Sequence, residues 1–260
     1  MCRPDYFGVD YDINPWMSDN IGKVDTELAI QQWEKLYTAL KTVVEVELID
    51  PVQGLPDMVF TANAGFYDFI RKTVLLSKFR NDQRKGEEVH FFKWFTDRGY
   101  NVFQAKEQFE GEGDLLADCW GQHWIGYGFR SEEAIKKTWP FNDLYDLKKI
   151  ELVDDRFYHL DTCFAPLRIN GAVMWFPGAF SEKSQAKIRK HINKDLSIEV
   201  SEEEALTFCC NAVVIDKDIF IPNCPSVAKK LSKLGFTVHQ FELSEFLKSG
   251  GAAKCLTMYL

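Results

Sequence analysis

A recurrence of about 50 residues in the order of strand-like and helix-like segments restricts this chain to few architectures. Segments that begin with polar residues start near Asp57, Glu110, His159 and Cys209. Each is followed by a second apolar strand, a helix and a further strand. The residues before Asp57, together with the end of the chain, would supply a fifth unit. Five such units could close around an axis. The polar residues at their beginnings, here called the polar starts, would then converge on a shared cavity.

The predicted elements follow from hydrophobic spacing and from glycines that end helices. No Pro-, Gly- or Ser-rich linker separates them, so we expect a single domain over residues 1–260. Helices are expected at residues 25–43, 87–98, 182–192 and 226–234. Strands are expected at residues 44–49, 58–60, 73–76, 101–103, 124–126, 173–175, 218–220, 236–238 and 255–258.

Composition excludes several classes of protein. The 260 residues are 46% hydrophobic and 27% charged, a globular balance that argues against disorder. The formal net charge of −8 argues against nucleic acid as a partner. No apolar run has the length of a membrane span, and the first residues lack the pattern of a secretory signal. We therefore expect a cytoplasmic protein without a membrane partner. The oligomeric state stays open, with a homo-oligomer as one option.

Seven cysteines, at positions 2, 119, 163, 209, 210, 224 and 255, are the least ordinary part of the composition. Their odd number and the missing secretory signal argue against a disulfide framework. There is no Cys-x-x-Cys pair, so we expect no metal site of that kind. Most buried cysteines act as small hydrophobic residues, but one of these could be a nucleophile.

Four groups of polar residues suggest which cysteine that is. Asn63, Glu110 and the His159-x-Asp161 pair lie at the polar starts. Cys255 comes shortly after the glycine pair Gly250 and Gly251. Nucleophilic cysteine chemistry needs a thiolate, a proton donor and acceptor, and carboxylates that hold a cationic substrate. These residues supply that set.

Together the segments resemble the guanidino-group modifying enzymes, whose fold is the five-bladed α/β-propeller called the pentein fold. That superfamily includes arginine deiminases, dimethylarginine dimethylaminohydrolases, agmatine deiminases and amidinotransferases. The resemblance covers essentially the whole chain and implies pseudo-repeated strand-strand-helix-strand units around a central cavity. It is carried by the segments PDMVFTAN (56–63), FEGEGD (109–114), HLDT (159–162) and GGAAKCLT (250–257).

The resemblance also implies roles for individual residues. Cys255 matches the family's nucleophile and His159 its general acid and base. Glu110 matches the carboxylate that holds the guanidinium and helps to orient water, and Asp161 matches a second guanidinium-binding carboxylate. The stretch after Glu110 is one residue longer than the usual Glu-Gly-Gly-Asp, which leaves Glu112 as a rival to Glu110.

A second departure concerns the substrate. Arginine deiminases usually have Phe-Thr-Arg-Asp where this chain has Phe-Thr-Ala-Asn, ending in Asn63. An amide donates and accepts hydrogen bonds, so it can hold a neutral ureido group as well as a cationic guanidinium. The Thr-Ala-Asn form looks like the arginine dihydrolase branch, which converts arginine through bound citrulline to ornithine, ammonia and carbon dioxide.

Three further residues are expected to bind substrate. Arg80 and Arg130 resemble the arginines that anchor the amino-acid end, since a guanidinium fork suits a carboxylate. Phe60 would pack beside the flat head group of the substrate. No cofactor is implied.

The predicted function is thus a cysteine-dependent hydrolase of the guanidino group of arginine or a close derivative, acting through a covalent thiouronium. Arginine dihydrolase is the favoured activity. The alternatives are a dimethylarginine dimethylaminohydrolase or arginine deiminase that stops at citrulline, an amidinotransferase, and a non-catalytic pentein.

Overall fold

The computed structural model describes residues 1–119, 121–135, 147–167 and 171–260. Its α-helices are α1 (Thr26–Leu40), α2 (Asp82–Lys85), α3 (Glu87–Asp97), α4 (Glu182–His191), α5 (Glu202–Ala205), α6 (Pro225–Lys233) and α7 (Ser244–Leu247). Among the described residues, no helix is both long and apolar enough to cross a membrane.

Within the described residues, four three-stranded sheets repeat one topology. In each sheet the first two strands are antiparallel and the last two are parallel. The sheets are β1–β3 (Gly65–Asp68, Thr73–Leu76, Asn101–Gln104), β4–β6 (Leu115–Ala117, His123–Tyr127, Leu147–Glu151), β7–β9 (Phe164–Pro166, Val173–Trp175, Ser197–Glu199) and β10–β12 (Val213–Ile215, Asp218–Pro222, Thr237–Phe241).

Parallel neighbours need a crossover connection, and helices supply it. Helices α3, α4 and α6 lie between the second and third strands of the first, third and fourth sheets. In the second sheet, the connection from β5 to β6 includes residues 136–146, so the helix expected there lies outside the described residues. The predicted order of strand, strand, helix and strand is confirmed for the other three sheets.

The chain termini form the fifth unit. Cys2 and Ile49 make an isolated parallel bridge, with α1 between them in sequence. Asp25 caps α1 by accepting a hydrogen bond from the Leu28 N–H, and the helix buries one apolar stripe that includes Trp33. Met258, near the end of the chain, packs in the same apolar cluster as Cys2 and Ile49.

The long predicted helices are confirmed to within three residues at each end, whereas three predicted strands are wrong. Residues 44–49 form only the bridge at Ile49, and residues 255–258 form turns. Residues 58–60 lie in tight 3-10 turns, one of which begins at Pro56. Such turns precede the first strand of three sheets, at Thr61–Ala64, Gly111–Gly113 and Leu160–Thr162. The polar starts are therefore turns that lead into strands β1, β4 and β7.

Candidate active site

The 3-10 turns meet at the centre of the molecule and bring the predicted polar residues together. Glycine permits this approach at two points. A Cβ atom on Gly113 would lie 2.3 Å from the Asn63 Nδ2 and 3.3 Å from the His159 ring, and one on Gly251 would lie 2.3 Å from the Phe60 ring. No side chain fits at such distances, so the sequence of these turns is dictated by the packing of the site.

His159 and Glu110 form a buried pair. The His159 Nε2 lies 2.7 Å from the Glu110 Oε2, and the Arg130 Nη1 lies 3.3 Å from the same oxygen. The other carboxylate oxygen accepts a hydrogen bond from the main-chain N–H of Arg80. Burial acts to raise the pKa of Glu110, but Arg130 and the hydrogen bond from His159 outweigh it and hold the pKa well below its usual range. Glu110 is thus a permanent anion in contact with an imidazole.

Cys255 is buried beside the second carboxylate. Its Sγ donates a hydrogen bond to the Asp161 Oδ2 at 3.3 Å. Burial and the Asp161 charge raise the pKa of the Cys255 thiol well above its usual value. Burial also raises the pKa of Asp161 to about 7, although Lys254 opposes the rise. Both effects favour the neutral thiol, and a cation that contacts Asp161 would favour the thiolate.

Asp161 has spare hydrogen-bonding capacity. Among the described residues, no group hydrogen-bonds its buried Oδ1. A buried carboxylate oxygen without a partner is costly, and a ligand with N–H groups would satisfy it.

Asn63 is fixed by a neighbouring arginine. The Arg84 Nη1 donates to the Asn63 Oδ1 at 2.7 Å, and the Asn63 Nδ2 donates to the Glu110 carbonyl oxygen at 3.2 Å. Arg84 is held in turn by two hydrogen bonds of 2.8 Å to Glu87 and one to the Asp57 carbonyl oxygen. An amide has two N–H groups and two lone pairs. These contacts use half of them and leave one N–H and one lone pair for a ligand.

The two acidic residues of the lengthened turn have different partners. Glu112 accepts hydrogen bonds from the Lys254 Nζ at 2.8 Å and from the Tyr259 N–H at 3.1 Å. Glu110 contacts His159 instead. The geometry thus favours Glu110 as the carboxylate that works with the imidazole. Asp114 accepts hydrogen bonds from Ser131 and from the Leu160 N–H.

A small pocket opens beside Cys255. Of the predicted substrate-binding residues, Asn63, Phe60 and Arg130 line it with Cys255. Asp161 lines a separate depression with Glu112 and Lys254, and Glu110 and His159 line neither. Arg130 is 3% exposed and lies over the Tyr158 ring. The Arg80 side chain is exposed and borders a separate surface depression. Only its main-chain N–H reaches the site, so its expected part as a carboxylate anchor stays a prediction.

The start of the chain covers the pocket. Ile13, Asn14 and Met17 line it. This segment is held by hydrogen bonds from Asn14 to the Ser249 carbonyl, from Trp16 to the Arg156 carbonyl and from Arg130 to the Ile13 carbonyl. Sequence reasoning did not find this cover, because no periodic signal marks the segment.

Sequence reasoning also missed Asp57, Arg84 and Lys254. Asp57 lines the pocket, and its carboxylate accepts hydrogen bonds from Tyr11 at 2.9 Å and Ser249 at 3.2 Å. Its position at the first polar start could have indicated it. Arg84 resembles an ordinary pair with Glu87 on a helix surface, at a spacing that is common there.

Comparison with known proteins places this geometry in context. A sequence model for eukaryotic N,N-dimethylarginine dimethylhydrolase matches residues 3–260. The chain is 45% identical over 266 residues to the bifunctional arginine dihydrolase/ornithine cyclodeaminase ArgZ of Synechocystis sp., covering 99% of this chain but 37% of ArgZ. It is 36% identical to an N(G),N(G)-dimethylarginine dimethylaminohydrolase of Mycobacterium tuberculosis, covering 99% of this chain and 84% of that protein.

Among solved structures, the N-terminal domain of the cyanobacterial ArgZ as a cysteine-to-serine mutant bound to substrate superposes with a TM-score of 0.95 and 43% identity, covering 99% of this chain and 96% of that one. That structure is described as an arginine dihydrolase. The predicted fold class, a five-bladed α/β-propeller, is confirmed.

Proposed function

Since the chain belongs to the N,N-dimethylarginine dimethylhydrolase family, we propose that it hydrolyses the guanidino group of arginine as an arginine dihydrolase. The observation that carries the proposal is one pocket lined both by Cys255, whose Sγ contacts Asp161, and by the neutral Asn63 amide. The chain spans 37% of the length of ArgZ, so the activity of the whole protein forms part of the proposal.

The site has charges for both ends of an amino acid. Asp161 and Glu110 offer carboxylates to a guanidinium, and the unpartnered Asp161 Oδ1 supports this assignment. Arg130 and Asp57 line the pocket that Cys255 also lines, and they suit the α-carboxylate and α-ammonium groups. A substrate without a carboxylate, such as agmatine, would leave Arg130 without its partner.

The first reaction cycle needs only side chains of the chain and water. With the substrate cation beside Asp161, Cys255 loses its proton to His159, and the thiolate attacks the central guanidino carbon. His159 returns the proton to the departing nitrogen as the C–N bond breaks, which releases ammonia and leaves a thiouronium. His159 then takes a proton from water, the resulting hydroxide attacks the same carbon, and the C–S bond breaks to give citrulline. The Glu110 anion stabilises the imidazolium that forms in each transfer.

A second cycle follows if citrulline stays bound. Renewed attack by Cys255 expels a second ammonia, and water releases a carbamate of ornithine that loses carbon dioxide. Arginine and two waters thus give ornithine, two ammonia and carbon dioxide. Retention of the neutral ureido group is the step for which the Asn63 amide is suited, because an amide N–H can donate to the ureido oxygen, which a guanidinium lacks.

Replacement of Asn63 by aspartate tests this step. The carboxylate would pair with Arg84 and repel the Glu110 carbonyl oxygen, and its charge would favour the cation over citrulline. We expect the Asn63→Asp variant to release citrulline, with the ratio of citrulline to ornithine rising about tenfold or more. Chromatography of the products measures it.

Asn193→Asp adds the same charge on an exposed turn and serves as the control. An unchanged product ratio in the Asn63 variant would contradict the part given to Asn63.

Dimethylarginine is the second candidate substrate, since the Mycobacterium tuberculosis relative bears that activity in its name. Incubation with arginine, citrulline, dimethylarginine and agmatine separates the candidates. Ornithine from arginine and from citrulline supports the proposal. Methylamine or dimethylamine from dimethylarginine, with arginine left intact, would replace it.

A further inference from the structure

The fourth sheet also has a polar start, to which the mechanism above gives no part. Asn211 precedes β10, as Asn63 precedes β1 and Asp161 precedes β7. Its side chain is fully buried. The residues at the other three polar starts are assigned to holding substrate or moving protons. The amide at the fourth polar start has no assigned role.

Asn211 holds the nucleophile at two atoms. Its Nδ2 donates to the Cys255 Sγ at 3.1 Å, and its Oδ1 accepts from the Cys255 N–H at 3.1 Å. The same Nδ2 donates to the Asp161 carbonyl oxygen at 3.1 Å. The Asn211 carbonyl accepts from the Lys254 N–H at 3.3 Å. One amide therefore fixes the sulfur, the main chain that carries it and the turn that carries Asp161.

A hydrogen-bond donor at the sulfur matters because the nearby charges do not stabilise the Cys255 thiolate. Asp161 faces Cys255 directly and opposes its ionisation, and Tyr158 also interacts with it. The nearest cation in sequence, Lys254, directs its Nζ to Glu112 and to the Thr257 carbonyl.

The other charged side chains of the site have hydrogen-bond partners other than the Cys255 sulfur. Glu110 contacts His159 and Arg130, and Asp57 is bonded to Tyr11 and Ser249. The Cys255 sulfur accepts a hydrogen bond from the Asn211 side chain and, on the main chain, from Ala252.

We propose that Asn211 is a catalytic residue whose amide N–H stabilises the Cys255 thiolate and holds its sulfur toward the carbon under attack. A neutral donor suits this position, because a cation would compete with the substrate guanidinium for Asp161. The proposal rests on the proposed function insofar as Cys255 is the nucleophile, whichever guanidino compound is the substrate.

Asn211→Asp is the direct test. It is isosteric, keeps an oxygen for the Cys255 N–H and replaces the donor at the sulfur by an acceptor. We expect alkylation of Cys255 by 2-chloroacetamidine, followed by mass spectrometry at each cysteine, to need a higher pH. The midpoint of its pH profile should rise by about one unit or more, with a rate at pH 7 at least about tenfold lower. kcat/KM for arginine should fall in parallel.

Asn193→Asp is the matched control and should leave the alkylation profile unchanged. Asn211→Ser removes the donor without adding charge and should shift the profile the same way by a smaller amount. Circular dichroism reports whether each variant folds. A profile like that of the wild type in either folded Asn211 variant would overturn the proposal. Loss of folding in both would assign Asn211 to the fold and would overturn it as well.

The two proposals fail separately. A shifted alkylation profile without any turnover of arginine would leave the part of Asn211 standing and defeat the dihydrolase. Ornithine formed at the wild-type rate by Asn211→Asp would support the dihydrolase proposal and overturn the role proposed for Asn211.

Discussion

Replacement of Cys255 by serine will reduce ornithine formation from arginine by about 10⁴-fold or more. A serine hydroxyl keeps the size of the side chain but does not ionise beside the Asp161 carboxylate, and no other group in the pocket can form the covalent intermediate. Arginine should still bind, because the carboxylates remain. Ornithine and ammonia measured over time, with arginine binding by calorimetry, test both statements.

Cys163→Ser is the matched control for this experiment. Cys163 is also fully buried, and its Sγ lies 3.6 Å from the Leu160 carbonyl oxygen, which a serine hydroxyl could use. We expect its turnover within a fewfold of wild type. Normal turnover by Cys255→Ser would contradict the covalent mechanism.

Replacement of Lys254 by methionine will lower the free energy of unfolding by about 3–5 kcal/mol. Lys254 is 2% exposed, and its loss leaves the buried Glu112 carboxylate with the Tyr259 N–H and without a cation. Urea unfolding followed by fluorescence measures the change.

Two further variants identify the cause. The double variant Lys254→Met/Glu112→Gln removes both charges and should recover most of the loss. Lys93→Met breaks an exposed ion pair with Asp97 and should cost less than about 1 kcal/mol. A double variant as unstable as the single one would show that Lys254 acts through packing and not through charge.

The family resemblance carried the prediction of the architecture, and the repeat supported it, because strand pairs and crossover helices recur with recognisable hydrophobic spacing. The same patterns failed where the chain serves the site. Residues 58–60 and 255–258 are apolar enough to suggest strands. Residues 58–60 instead lead into the 3-10 turn that carries Asn63, and Cys255 itself lies in a turn. Local apolarity does not distinguish a buried strand from a buried turn.

The residues that sequence reasoning missed are those that act through others. Arg84 fixes Asn63, Lys254 balances Glu112, and Asn211 holds Cys255. Each contact joins parts of the chain that are far apart in sequence, so neither spacing nor composition indicates it. Asn211 could have been predicted from the sequence, because it belongs to a polar start that the repeat had already indicated.

The ratio of products formed from arginine tests the central claim most directly. Incubation of the 260-residue chain with arginine, sampled from the first turnovers onward, gives ornithine, citrulline and ammonia by chromatography and an enzymatic ammonia assay. The dihydrolase account predicts two ammonia for each ornithine, with no accumulation of citrulline. One ammonia for each arginine, with citrulline accumulating and no ornithine, would contradict it.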